Sequence, residues 1–348
     1  MTQIENKGRD VRLDIIRCAA LFLIILCHTS IGLDEVSPIT VKLKWFIGKC
    51  GVPMFIIISG YLNLPMKYSA KDFLSRRIKR VFVPLLFWCF AYFILYVIIN
   101  DDWTLIWGSE DIFIRGTSAH LWYIYAILSL YIITPILSEF FKNCSKRLFQ
   151  FYLIIWLMCT ISPYYYSLTG HRFFDHNVTY VAYYLSGYIG YYLLGYYLKR
   201  FQPHWLNCSF GFKQLSYKGM ILIIALIFIY LGYYKLGMTT VELSSYTTVV
   251  PVLLSIVTFT VLWRCNPSNA KLCKWIISLS KYSFGIYLVH EIVVQYFNPL
   301  IWENIDYSEV NDIVVLSINI FAVILNIAIS YIMVRLISLL PKSKYILG

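Results

Sequence analysis

The sequence predicts an all-α protein: a polytopic membrane helix bundle of about ten transmembrane helices with both termini in the cytoplasm. Three observations carry that expectation. Of 348 residues, 59% are hydrophobic, 18% aromatic and only 14% charged, whereas soluble domains carry about 25% charged residues. Ten apolar stretches of spanning length can be drawn along the chain. Basic residues fall almost entirely in alternate connections, which is how membrane proteins record their orientation.

The stretches lie near 13–32, 45–63, 81–99, 120–138, 148–167, 180–198, 217–237, 246–263, 275–298 and 312–339. Pro163 and Pro251 interrupt or open the fifth and eighth. The first is too long for the apolar core of a cleaved leader and lacks a small-residue cleavage site, so it is expected to stay in the mature protein. With the N-terminus inside, the tails and even-numbered connections hold 21 Lys and Arg, and the opposite connections only Lys42, Lys44, Arg115 and Arg172. The formal net charge of +12 is therefore read as a topology signal, and no nucleic-acid partner is expected. The nine cysteines show no paired spacing of a zinc site, so no metal is expected. One integral-membrane domain over residues 1–348, multi-pass in the cell membrane and in contact with its lipids, accounts for the whole chain; the pattern leaves the oligomeric state open.

Ionisable residues inside apolar stretches mark the candidate site, because a charge in hydrocarbon is costly without a partner, a cavity or water. Arg17 and His28 lie in the first stretch, eleven positions apart. At about 100° per residue this places both on one helix face, about 16 Å apart in depth. Asp14, three residues before Arg17, is placed to orient its guanidinium. On the ninth stretch Ser283, Tyr287 and His290 share a face, with His290 at about the depth of His28, which points to a common polar cavity. Arg76, Arg77, Lys79 and Arg80 crowd the entry to the third stretch. They read either as a dense positive-inside cluster touching anionic headgroups or as a dock for a phosphorylated cofactor. His120 and Trp122 open the fourth stretch, where an interfacial anchor and an acceptor-stacking role are both open.

Five segments in order, RLDIIRCAALFLIILCHTS, VPMFIIISGYLN, FLSRRIKRVFVP, AHLWYIYAILSLYIITPIL and YSFGIYLVHE, resemble the acyltransferase 3 family of integral-membrane O-acyltransferases. Arg17 and His28 match the family's Arg, ten residues, His signature, and Arg77 with Arg80 its Arg, two residues, Arg signature. The HLWYI and VPMFIIISGYL segments are most similar to the short branch that includes the enterobacterial common antigen O-acetyltransferase.

The resemblance implies an enzyme that takes an acyl group, acetyl by default, from cytosolic acyl-CoA and delivers it to a hydroxyl of a surface or lipid-linked glycan on the outer side. It implies Arg17 and His28 as the catalytic pair and Arg77 with Arg80 as the cofactor-associated pair. His28 is expected to be the general base; a covalent acyl-histidine relay is the other route. A glycan exporter or flippase is the competing class. Against it stand the pairing of intramembrane charges with a basic cluster and the lack of an internal repeat.

Overall fold

The computed structural model describes residues 9–33, 38–100, 118–169, 185–207, 245–265 and 267–348. Of these, 82% are helical and none is in a strand. The seventh stretch, 217–237, and the beginning of the sixth lie outside the described residues.

Helix α1, Val11–His28, is the centre of the bundle. Asp10 caps its start by accepting from the Arg12 N–H at 3.0 Å, and Thr29 ends it by turning to an extended conformation while its N–H still reaches the Ile25 carbonyl. Ile16, Ala20, Leu21 and Ile25 are fully buried. Beyond the helix Gly32 adopts φ +58°, a left-handed turn beside the Tyr307 ring that a side chain would strike.

The second stretch is two helices, α2 Pro38–Gly48 and α3 Gly51–Asn63, broken at Lys49 and Cys50. Both glycines at the break serve contact with α1: a Cβ on Gly48 would meet Cys27 Sγ at 2.4 Å, and one on Gly51 the Ala20 carbonyl at 2.6 Å. Helix α4, Ala70–Asn100, runs unbroken through Pro84, so the basic cluster and the third stretch are one rod. A 3₁₀ turn, Ala119–Leu121, leads into α5, Trp122–Asn143, followed by α6, Lys146–Thr169, and α7, Ile189–Phe201. After the single turn α8, His204–Asn207, come α9, Val249–Trp263, and α10, Ala270–Ile292. Helix α10 passes through a π turn, Val293–Phe297, into α11, Asn298–Trp302; α12, Asp312–Ile337, and the short α13, Lys344–Leu347, complete the described helices.

Five of these segments are long and apolar enough to cross a membrane: Thr40–Asn63, Ala70–Ile99, Ala119–Asn143, Lys146–Tyr165 and Asp312–Ile337. Helix α1, with Arg12, Asp14 and Arg17, and α10, with three lysines and Glu291, carry too much charge for so apolar a profile. Outward-facing Phe90, Ile136, Ile154, Ile313 and Phe321, all more than half exposed, give the bundle the apolar coat that lipid requires.

Asp14, near the start of α1, meets Ser280, midway along α10, and His28 meets Glu291 near the ends of both, so the two charged helices run side by side in one direction. Helix α7 presses on α3 through facing glycines: a Cβ on Gly60 would lie 1.8 Å from the Tyr192 carbonyl, and one on Gly195 2.0 Å from that of Ile57. Such small-residue contacts let membrane helices approach backbone to backbone. Gly60→Ala is therefore expected to force the pair apart, at a cost of about 1–3 kcal/mol, and to lower the thermal unfolding temperature in detergent. A Gly187→Ala control, whose Cβ would meet nothing within 4 Å, should leave it unchanged.

Candidate functional site

One end of the bundle holds a cavity of about 370 Å³, within the range of small-molecule sites. Five cations line it: Arg9, Arg17, Arg77, Arg80 and Lys281. Ser59, Ser280, Ser283 and the phenols of Tyr123 and Tyr131 add hydroxyls to its wall. The buried carboxylate here is Asp14, 1% exposed. It accepts both arms of the Arg9 fork at 2.8 and 2.9 Å, the Ser280 hydroxyl at 2.6 Å and Arg17 Nη1 at 3.3 Å. The bond to Asp14 raises the Arg9 guanidinium above its ordinary value. One carboxylate against five cations leaves the cavity strongly positive, which suits a polyanion with phosphate oxygens.

Arg77 and Arg80 line the cavity because they are three apart on α4 and share its inner face. Arg80 also donates from Nε to the Gly348 carbonyl at 3.2 Å, and Trp88, two turns further along, donates to the Ile346 carbonyl at 2.8 Å, so α13 is strapped along α4. Arg76 and Lys79 are not in the lining. The Arg76 guanidinium lies over the Tyr68 ring, 4.4 Å from its centre, on the flank of the helix. Arg9 and Lys281 take the places that the sequence pattern assigns to those two.

His28 is at the far end of α1, in a second, smaller cavity with His120, Trp122 and Tyr246. Helical spacing alone has Arg17 and His28 facing one cavity; they face two compartments. Tyr287 lines both and forms the wall between them. Its hydroxyl donates to the His120 carbonyl, which holds the ring across the passage.

Around His28 three imidazoles converge from three helical segments. The ring centres of His28 and His290 are 5.2 Å apart, those of His120 and His290 4.9 Å, and those of His28 and His120 6.3 Å. His120, which the sequence places at the interface, is 1% exposed and His290 fully buried. A local fold places each. Thr29 and Ile31, just past α1, are pinned to α12: Asn319 donates to the Ile31 carbonyl at 2.7 Å and accepts its N–H at 3.2 Å, and Asn326 donates to Thr29 Oγ1. His290 Nδ1 makes a 2.7 Å bond with the Tyr287 carbonyl one turn back. Ser118 Oγ is 2.8 Å from His120 Nδ1.

The residue that sequence reasoning misses is Glu291. Its Oε2 lies 3.3 Å from His28 Nδ1 and 3.8 Å from His290 Nε2, while its Oε1 accepts from Gln295 at 2.8 Å. The signal is present in the HE pair that ends YSFGIYLVHE; consecutive helix positions diverge by about 100°, and the turn toward His28 does not follow from spacing alone. Trp122 and Tyr246 line the small cavity, and Trp122 stacks at an angle on Tyr246 and on Tyr188 behind it, with ring centres 5.1 and 5.6 Å away. Ser283 lines the cationic cavity and donates to the Ser280 carbonyl.

The arrangement sets a cavity lined by five cations beside an imidazole–carboxylate cluster, with Tyr287 common to both cavities, a layout with the charge to hold a phosphorylated donor on one side and a base to take a proton on the other. The model of a family described as an acyltransferase domain matches residues 10–335. No curated protein and no solved structure matches the chain.

Proposed function

The chain belongs to the acyltransferase 3 family, and from that premise we propose that it moves an acyl group, acetyl in the first instance, from cytosolic acyl-CoA to a glycan hydroxyl on the outer side of the membrane. The observation that carries this reading is the meeting of two unlike compartments at Tyr287, one lined by five cations and the other by His28. An exporter has no need of a phosphate-binding chamber that ends at an imidazole.

In this reading the cationic end faces the cytoplasm, as the excess of basic residues in that set of connections indicates. Arg77, Arg80 and Arg9 hold the phosphates of CoA, and Arg17 extends the positive lining inward. For the pantetheine arm to bring the thioester to His28, the Tyr287 ring has to leave its bond to the His120 carbonyl and swing aside. With the His28 proton on Nδ1, the nitrogen 3.3 Å from Glu291 Oε2, Nε2 is left to accept the proton of the acceptor hydroxyl. That oxygen attacks the thioester carbon; the carbon–sulfur bond breaks, CoA leaves as the thiolate and is protonated by the imidazolium. The ester is formed and His28 returns to its neutral state. The acceptor is a surface or lipid-linked glycan, whose ring faces suit the aromatic border of Trp122 and Tyr246.

Purified full-length protein in detergent should be stabilised against heat by acetyl-CoA and should acetylate an acceptor glycan. Arg77→Ala and Arg80→Ala are each expected to raise the KM for acyl-CoA about tenfold or more, the loss of roughly 1.5 kcal/mol for a hydrogen bond to a charged group, with a smaller change in kcat. An unchanged KM in both variants would remove the phosphate dock. Neither stabilisation by CoA nor transfer would favour the exporter.

A further inference from the structure

We propose that His28, His290 and Glu291 form a binding site for one divalent transition-metal ion of the zinc type, and that the ion, by taking His28, switches acyl transfer off. The binding rests on geometry alone; the switch also rests on the reading of His28 as the base.

The case begins with protons. A carbonyl only accepts, so the 2.7 Å bond from His290 Nδ1 to the Tyr287 carbonyl fixes the ring proton on Nδ1 and leaves Nε2 as a bare lone pair. That lone pair faces Glu291 Oε2 at 3.8 Å. Neither atom makes a hydrogen bond, and both are buried. Two electron-rich atoms turned toward each other in a buried place call for a cation between them.

The third corner is His28 Nδ1, 3.3 Å from the same oxygen, and all three donor atoms lie within 4.8 Å of one another. Ligand atoms around a four-coordinate zinc, with bonds of about 2.0 Å, stand about 3.3 Å apart; the two edges at Glu291, 3.3 and 3.8 Å, are near that spacing, and the edge between the imidazoles, up to 4.8 Å, has to shorten. Two imidazoles and one carboxylate are the donor set of open zinc sites and a poor one for magnesium or calcium, which take oxygen. The outer contacts are those of metal ligands: His290 donates its other nitrogen to a backbone carbonyl, and Gln295 orients the Glu291 carboxylate. The small cavity lined by His28, His120 and Cys27 adjoins the triad at His28, and neither His290 nor Glu291 lines it.

Cysteine spacing gives no sign of this site because no cysteine is in it; its ligands come from the end of α1 and the end of α10. An ion on His28 Nδ1 leaves the ring's proton on Nε2, the atom that would otherwise accept from the acceptor hydroxyl. The loaded protein is then without its base.

The test uses the full chain in detergent, stripped with a chelator and titrated with cobalt(II). One equivalent is expected, with the visible d–d absorption of a four-coordinate site and no thiolate charge-transfer band, displaced by zinc. Glu291→Gln, nearly the same shape, should weaken cobalt binding at least tenfold, and His290→Ala likewise, while Cys27→Ser, in the lining of the same small cavity, should not. Zinc should inhibit transfer and a chelator should restore it. Absence of stoichiometric cobalt, or a spectrum unchanged in both Glu291→Gln and His290→Ala, would overturn the site and show a shared proton in its place. Cobalt or zinc bound at the triad with transfer undiminished would overturn the switch.

Discussion

His28→Ala is expected to lower acyl transfer by about 10²- to 10⁴-fold, the usual contribution of a positioned general base, while leaving the KM for acyl-CoA close to that of the parent. The split follows from the two compartments. His28 is absent from the lining of the cationic cavity, where the phosphates are proposed to bind, and stands in the smaller one beyond Tyr287. Alanine removes an imidazole that is 28% exposed at its side chain, and leaves Glu291 without one of its neighbours. The experiment measures labelled acetyl transfer to the glycan together with expression and stabilisation by CoA. A variant that binds CoA normally but transfers at the parent rate would place the base elsewhere in the cluster, with His290 and His120 the remaining imidazoles. Single-turnover labelling without acceptor separates direct transfer from the relay: a stable acyl group on the protein that is lost in His28→Ala favours the relay.

Much of this site is legible in the sequence because membrane helices advertise what they bury. In a segment such as LFLIILC any ionisable residue is conspicuous, so Arg17, His28 and His290 stand out from the apolar pattern alone. Helical periodicity then puts Ser283, Tyr287 and His290 on one face and predicts the shared depth of His28 and His290, whose ring centres prove to be 5.2 Å apart. Three things are not legible, each for a physical reason. Arg9 lies before the apolar stretch, where a cation reads as an ordinary topology signal; only the tertiary position of Asp14 draws it into the cavity. Arg76 and Arg77 are neighbours of identical chemistry, and which of them faces inward depends on the rotation of α4 about its own axis, set by packing against α5 and α13. Tyr287 falls on the right face, but that it divides the cavity follows from its bond to the His120 carbonyl, a contact between segments far apart in the chain. Helix breaks behave likewise: the second stretch is continuous in hydropathy and splits at Lys49 and Cys50 because α1 presses on Gly48 and Gly51.

Asp14→Ala is expected to be the most damaging single truncation for stability, more so than loss of either of its arginine partners. The carboxylate is 1% exposed and satisfies Arg9, Arg17 and Ser280 at once. Removing one partner from a buried ion pair costs about 3–5 kcal/mol because the remaining charge stays desolvated. The lower end of that range applies here, since Arg9 and Arg17 are 36% and 26% exposed at their side chains and water screens them in part. Arg9→Ala alone leaves Asp14 with Arg17 and Ser280 and should cost clearly less. Thermal unfolding of both variants in detergent checks the order, and equal unfolding temperatures would show that Asp14 does not hold α1 to α10. The consequence for function is set by the same carboxylate. Ser280 is the α10 end of the bridge, and the far ends of those two helices carry His28 and Glu291. A loosened bridge lets α10 slide against α1, so Asp14→Ala protein that still folds should lose transfer rate as well as stability, even though Asp14 is remote from the reacting atoms.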